Sequence, residues 1–145
     1  MRVIDRQKVI VVVHTIVRNA EESILLLERR DTGYMDGFLV PPGGHVEYGE
    51  SISNAARREV NEESNLTLIV FQPAVVMPFE GGVDFIFESR DWEGTPAIGE
   101  PSKFSSIGWF DPLSLPDNVA PFVSKALELV DSGTWYHEYR AESED

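Results

Sequence analysis

The stretch that decides the fold is Gly43-Gly44-His45-Val46-Glu47-Tyr48-Gly49-Glu50-Ser51-Ile52-Ser53-Asn54-Ala55-Ala56-Arg57-Arg58-Glu59-Val60-Asn61-Glu62-Glu63-Ser64-Asn65-Leu66. Its first part is rich in glycine and has no apolar period, which reads as a loop. From Ser51 to Ser64 the period is helical, with Ile52, Ala55, Ala56 and Val60 forming one apolar stripe. At about 100° per residue from Ile52, Glu59 falls near 340° and Glu63 near 20°, inside that stripe. Glu62 sits one edge over. Acidic residues on a helix ordinarily mark a solvated face, but a carboxylate buried without a partner costs several kcal/mol, so the stripe asks for cations. Arg58 alone cannot pair three carboxylates, and Arg57 points elsewhere on the wheel. Bound Mg²⁺ or Mn²⁺ answers the need, since hard divalent ions take carboxylate oxygens.

Outward from this helix, residues 9–17 (VIVVVHTIV) form a β-branched run that reads as a strand buried on both faces. A polar turn and a second strand at 24–28 suggest a hairpin. Breakers then fill Asp31-Thr32-Gly33-Tyr34-Met35-Asp36-Gly37, followed by the short apolar Phe38-Leu39-Val40 and by Pro41-Pro42. After the helix, strands are expected at 66–71, 74–78, 83–87 and 104–110, with Pro73 separating the first two. A second helix is expected at 118–131, capped by Asp117 or Asn118, with Pro121 in its first turn and Gly133 as its stop. Strands outnumber helices in an order that suggests an α/β (α+β) fold, a mixed β-sheet covered by helices. Residues 1–145 read as a single domain, with 137–145 a frayed acidic tail.

The chain has 145 residues, no cysteine, and 12 Lys plus Arg against 25 Asp plus Glu, a net charge of −13. Zero cysteine excludes a disulfide scaffold, a thiolate metal site and a cysteine nucleophile. Three lysines and a strong negative charge argue against a nucleic-acid polymer as partner. No apolar run reaches the roughly 18 residues a membrane span needs, and the N-terminus is charged where a signal peptide would turn apolar. A cytoplasmic protein without membrane attachment is expected.

Gly44, Glu50, Arg58-Glu59-Val60, Glu62-Glu63 and Asn65-Leu66 resemble the Nudix box, Gly-x5-Glu-x7-Arg-Glu-aliphatic-x-Glu-Glu-x-Gly-aliphatic, at eight of its nine fixed positions. Residues 38–47 resemble the strand and loop that lead into the box, and the strand order on both sides is similar to the whole Nudix fold. The resemblance implies an α/β/α sandwich and a Mg²⁺-dependent hydrolase of nucleoside diphosphates linked to another group. It implies that Glu59, Glu62 and Glu63 are metal ligands, that Glu50 and Arg58 tie loop to helix and orient those ligands, and that Gly44 brings its carbonyl to the metal. Asn65 departs from the pattern's Gly. That position follows the helix end, where the backbone commonly turns left-handed and Asn is second only to Gly.

A base must also take the proton of the attacking water. In this family it lies in the box or on an outside loop, and Glu100 is the outside candidate, with Glu80 and Asp84 behind it. Arg29, Arg30 and Lys103 are candidates for phosphate contact. Tyr34, Tyr48 and Trp92 could stack on a base; Phe38 and Phe79 read as core, and His14 as packed or hydrogen-bonded inside its strand. The residues flanking the box look most like small MutT-type enzymes, which implies hydrolysis of a nucleoside triphosphate. A nucleoside diphosphate sugar or ADP-ribose-like conjugate is the alternative substrate, and a silent nucleotide- or protein-binding Nudix module a third reading. Homodimers are common in the family.

Overall fold

The computed structural model describes residues 4–140. At its centre is strand β1 (Ile10–Val17), whose alternating side chains are apolar on both faces. β1 pairs antiparallel with β4 (Gly43–His45) on one edge and parallel with β6 (Gly82–Glu93) on the other. β6 pairs antiparallel with β5 (Thr67–Phe79), giving a mixed sheet in the order β4-β1-β6-β5. A second sheet has the order β3-β2-β7, formed by Leu39–Val40, Ile24–Arg29 and Phe104–Phe110.

Helix α1 (Ile52–Ser64) and helix α2 (Pro121–Ser132) contribute to different core clusters. Val13 of β1 packs with Ala55, Ala56 and Phe87, and Val17 with Val60, Leu66 and Leu68. Ile16 belongs instead to the cluster that holds Ala120, Val123, Ala126 and Leu127. The doubly apolar strand is thus the middle layer of the expected α/β/α arrangement. Alanines at 55 and 56, both fully buried, let α1 lie close to the sheet. Among the described residues no helix is long and apolar enough to cross a membrane.

Four expectations change. β1 and β2 are not a hairpin: a turn closed by Asn19 joins them through one antiparallel bridge, Arg18 to Ile24, and then they part into different sheets. The reason is that both edges of β1 are taken by β4 and β6. Residues 67–79 form one strand, not two, because β5 is at a sheet edge where the missing N–H of Pro73 is tolerated; register shifts flank it. Helix α2 begins at Pro121 with Ala120 as its cap, while Asn118 donates to the carbonyl of Gly37 at 3.1 Å, and so neither Asp117 nor Asn118 caps it. Residues 137–140 are not frayed: His137 N–H donates to Val76 O at 3.1 Å and Tyr139 N–H to Pro78 O at 2.7 Å, so this segment lies along β5. Residues 141–145 of the expected tail lie outside the described residues.

Candidate active site

Ser51 caps α1 by accepting a hydrogen bond from Asn54 N–H at 3.1 Å, and Asn65 ends it in the left-handed conformation at φ 65°. Between these caps the helical period places Glu59 and Glu63 on the buried face, at 9% and 4% exposure, among Ala55, Ala56 and Val60. Gly44 makes room for Glu59: a Cβ there would lie 2.7 Å from the Glu59 carboxyl carbon. Gly43 N–H donates to Glu63 Oε1 at 2.9 Å.

Arg58 ties loop to helix. Its Nε and Nη2 donate to the two oxygens of Glu50 at 2.7 and 3.0 Å, a bidentate pair, and Nη2 also reaches the carbonyl of His45 at 3.1 Å. Nη1 donates to Glu59 at 2.8 Å and to Glu62 at 3.2 Å. The Glu62 side chain is half-exposed, held at the rim by this contact. Arg58 hydrogen bonds hold Glu50 below the usual carboxylate range, and those carboxylates raise Arg58 further.

The buried pair behaves oppositely. Burial raises Glu59, against the opposing pull of Arg58, and pushes Glu63 up to about 9, against the Gly43 N–H; the charges of neighbouring carboxylates, Glu100 among them, push both further. One guanidinium and one amide do not neutralise this cluster. The donor set is all oxygen and short of positive charge, which suits a hard divalent cation. Among the described residues, no three acidic or histidine side chains already stand as a ligand set, since Arg58 draws Glu62 to its own side.

Glu100 reaches the cluster from outside the box. Its loop is pinned to the end of α1 by Ala97 N–H on Ser64 O and Gly99 N–H on Glu63 O, both at 3.0 Å. A Cβ at Gly99 would collide with the Glu62 carbonyl oxygen, so only glycine permits this approach. Gly43 and Gly99 were not singled out in the sequence; nothing distinguishes such contacts before the loops are placed in space.

The substrate-side candidates divide. Arg29 and Tyr34 line a cleft with Glu63, Phe104 and Phe122. Arg29 donates to the Tyr34 carbonyl at 2.7 Å and lies over its ring, so the loop and the cation are one unit. Arg30 lies apart, on Asp31 at 3.1 Å, and Lys103 is paired with Glu100 at 3.4 Å. Phe38 is exposed rather than core, because its short strand begins one residue later. Trp92 stacks on Trp109 and donates to the Arg18 carbonyl at 2.8 Å, away from the cleft, and Tyr48 is fully exposed. Glu80 is exposed at a turn, while Asp84 is buried against His14. His14 itself lines the cleft, a position its strand context had not suggested.

Comparison with known proteins agrees with this arrangement. The NUDIX domain model matches residues 8–130. The chain is 33% identical over 103 residues to the oxidized purine nucleoside triphosphate hydrolase of Danio rerio, covering 67% of this chain and 64% of that one. It is 28% identical over 126 residues to the 8-oxo-dGTP diphosphatase of Escherichia coli K12, covering 79% and 93%. Its fold is similar to that of a MutT NUDIX hydrolase from Burkholderia pseudomallei, with a TM-score of 0.76 and 26% identity over 82% of this chain and 95% of that chain. The loop and helix that join Glu50, Arg58, Glu59 and Glu63 lie wholly inside the matched residues, and the chain belongs to the Nudix family.

Proposed function

We propose that this protein is a Mg²⁺-dependent hydrolase, with Mn²⁺ as a substitute, that cleaves the pyrophosphate bond of a nucleoside triphosphate. The observation that carries this reading is the buried carboxylate pair Glu59 and Glu63, left short of positive charge beside a cleft with aromatic walls. Glu59, Glu63 and the rim carboxylate Glu62 would hold the cation, with the Gly44 backbone beside them. A divalent ion there supplies neutralisation of phosphate oxygens and acidification of the attacking water.

The chain's own groups do the rest. Arg58, anchored on Glu50, orients Glu59 and Glu62; Gly43 N–H fixes the rotamer of Glu63. Glu100 accepts the proton as water attacks phosphorus and the anhydride P–O bond breaks, releasing pyrophosphate and a nucleoside monophosphate. Arg29 and Lys103 would contact phosphate oxygens, while Tyr34 and Phe122 flank the base. Arg30, which points elsewhere, has the weakest claim to contact. The relatives named as triphosphate hydrolases favour this substrate class over the alternative, a nucleoside diphosphate sugar or ADP-ribose-like conjugate. Intact acidic residues disfavour a silent binding module. A nucleotide, not a nucleic-acid polymer or a membrane, is then the partner, in a cytoplasmic protein; homodimer formation follows from family habit alone.

The test is a panel of nucleoside triphosphates and nucleoside diphosphate sugars, each with Mg²⁺ and with EDTA, read by release of pyrophosphate or phosphate. Metal-dependent turnover of triphosphates is expected. Turnover of the conjugates alone transfers the reading to the alternative, and no turnover of any nucleotide removes both.

A further inference from the structure

The loop that joins β2 to β3 is ordered by its own side chains, around a carboxylate that the hydrolytic chemistry does not use. Asp36 accepts from Gly33 N–H at 2.9 Å, from Thr32 N–H at 3.1 and 3.2 Å on its two oxygens, and from the Thr32 hydroxyl at 2.6 Å. These hydrogen bonds, the hydroxyl first, hold Asp36 below the usual carboxylate range, so it is ionised at neutral pH. They accompany a tightly wound backbone: Asp31, Gly33, Met35 and Gly37 all lie at positive φ. A side chain as long as that of Met35 keeps this conformation only where its surroundings impose it.

The Thr32 hydroxyl is the junction. Its one proton has two acceptors in reach, Asp36 Oδ1 at 2.6 Å and the Tyr34 carbonyl at 2.9 Å, and the ionised carboxylate is the stronger. With the proton drawn to Asp36, the hydroxyl oxygen keeps its lone pairs for Tyr34 N–H at 3.2 Å and for Arg29 Nη2 at 3.1 Å. Arg29 Nε donates to the Tyr34 carbonyl at 2.7 Å, and the guanidinium lies 5.5 Å from the centre of the Tyr34 ring. Arg18, Arg30, Arg58 and Arg90 each pair with a carboxylate, whereas Arg29 is steered by a carbonyl and a hydroxyl and forms no ion pair among the described residues. Neutral acceptors fix its direction without cancelling its charge. The result is a fixed cation on the wall of the cleft with Nη1 unengaged among the described residues. We propose that Asp36 and Thr32 are positioning residues that hold Arg29 in place before substrate arrives, so that its open edge meets a phosphate group of the bound nucleotide. This rests on the reading of the cleft as a nucleotide site. A free arginine loses side-chain freedom when it captures an anion, and one already held loses less.

The experiment is calorimetric titration of the protein, in Mg²⁺, with the α,β-methylene analogue of dGTP, whose bridging carbon resists cleavage. Arg29→Gln should weaken binding about tenfold or more, through loss of a charge-assisted contact. Asp36→Ala and Thr32→Val remove no contact with the ligand, yet each should weaken binding about three- to tenfold. Thr32→Ser restores the hydroxyl and should bind within about twofold of the wild type. The deciding measurement is the double variant: in the Arg29→Gln protein, Asp36→Ala should have almost no further effect, because Asp36 acts through Arg29. A merely structural role weakens binding equally in both backgrounds. Circular dichroism checks that each variant is folded, and the nearly isosteric Thr32→Val, alone and with Arg29→Gln, takes the place of Asp36→Ala if that variant is not. Wild-type affinity in folded Asp36→Ala or Thr32→Val overturns the proposal, as does weakening of equal size with and without Arg29. Either result leaves the nucleotide reading standing, since the wild type still binds the analogue. Absence of binding by the wild type removes that reading and the positioning role with it.

Discussion

Replacing Glu63 by Gln isolates two opposite consequences of one carboxylate. The side chain is 4% exposed, and Gln retains the shape and the oxygen that accepts from Gly43 N–H. In metal-free protein, burial raises the carboxyl from 4.5 to about 9, so at pH 7 the folded chain keeps a proton that the unfolded chain has released. Over the interval from about 4.5 to 7 that linkage amounts to roughly 3 kcal/mol against folding, and Glu59 shares the same environment, so Gln should recover about 1–3 kcal/mol. At about 3 °C per kcal/mol, the variant's Tm in EDTA at neutral pH should rise by roughly 3–9 °C. The sign with pH is fixed: stability from a raised carboxyl is full below the unfolded value and is lost as pH rises toward the folded one. Between about pH 6 and 8.5 the wild type in EDTA should therefore lose Tm, and the variant should lose less. The carboxyls held low, Glu50, Asp36 and Glu22, contribute at more acidic pH and do not obscure this window. Added Mg²⁺ should stabilise the wild type by about 2.7 kcal/mol at one hundred times its dissociation constant, but the variant much less, and hydrolysis should fall by orders of magnitude. Differential scanning fluorimetry across this pH range, with EDTA and with Mg²⁺, reads all of it except turnover. A variant less stable than the wild type in EDTA at neutral pH, or one stabilised equally by Mg²⁺, would refute the reasoning.

Three further outcomes follow from single contacts. Glu100→Gln should lower kcat by about 10² to 10⁴ while leaving Mg²⁺ stabilisation nearly intact; an unchanged kcat excludes Glu100 as the base. Gly99→Ala forces a Cβ onto the Glu62 carbonyl and should cost about 1–3 kcal/mol in urea unfolding as the 95–103 loop is pushed from α1. Asn65→Gly, at a left-handed φ of 65°, should keep or slightly raise stability, whereas Asn65→Ala should lower it by about 1 kcal/mol.

Much of the site is local, and for that reason it was legible. The positions of Glu59, Glu62 and Glu63 on α1, the Ser51 and Asn65 ends, and the reach from Glu50 to Arg58 lie within one loop and one helix, where spacing alone sets which side chains meet. The expected carboxylate burial is present because the apolar stripe that carries it is an intrinsic property of the helix. What the local pattern could not reveal is competition between partners. Glu62 lies at four residues from Arg58 as well as beside the other acids, and only the placement of the guanidinium shows that it turns to the rim. Arg29 and Arg30 are adjacent in sequence, yet Arg29, the last residue of β2, lines the cleft, while Arg30, beyond the end of the strand, pairs with Asp31.

The amino-acid sequence by itself determined the acidic helix face, which rests on periodicity within one short segment, and the family resemblance, which rests on spacing within the box and which in turn implied the α/β/α layering. Only the tertiary structure decided that β1 gives both its edges to β4 and β6 and so cannot pair with β2. It alone decided that Gly99 admits the Glu100 loop against α1, and that His14 meets Asp84 seventy residues away. These are long-range juxtapositions, and the residue pattern of one segment carries no record of which distant backbone will lie beside it.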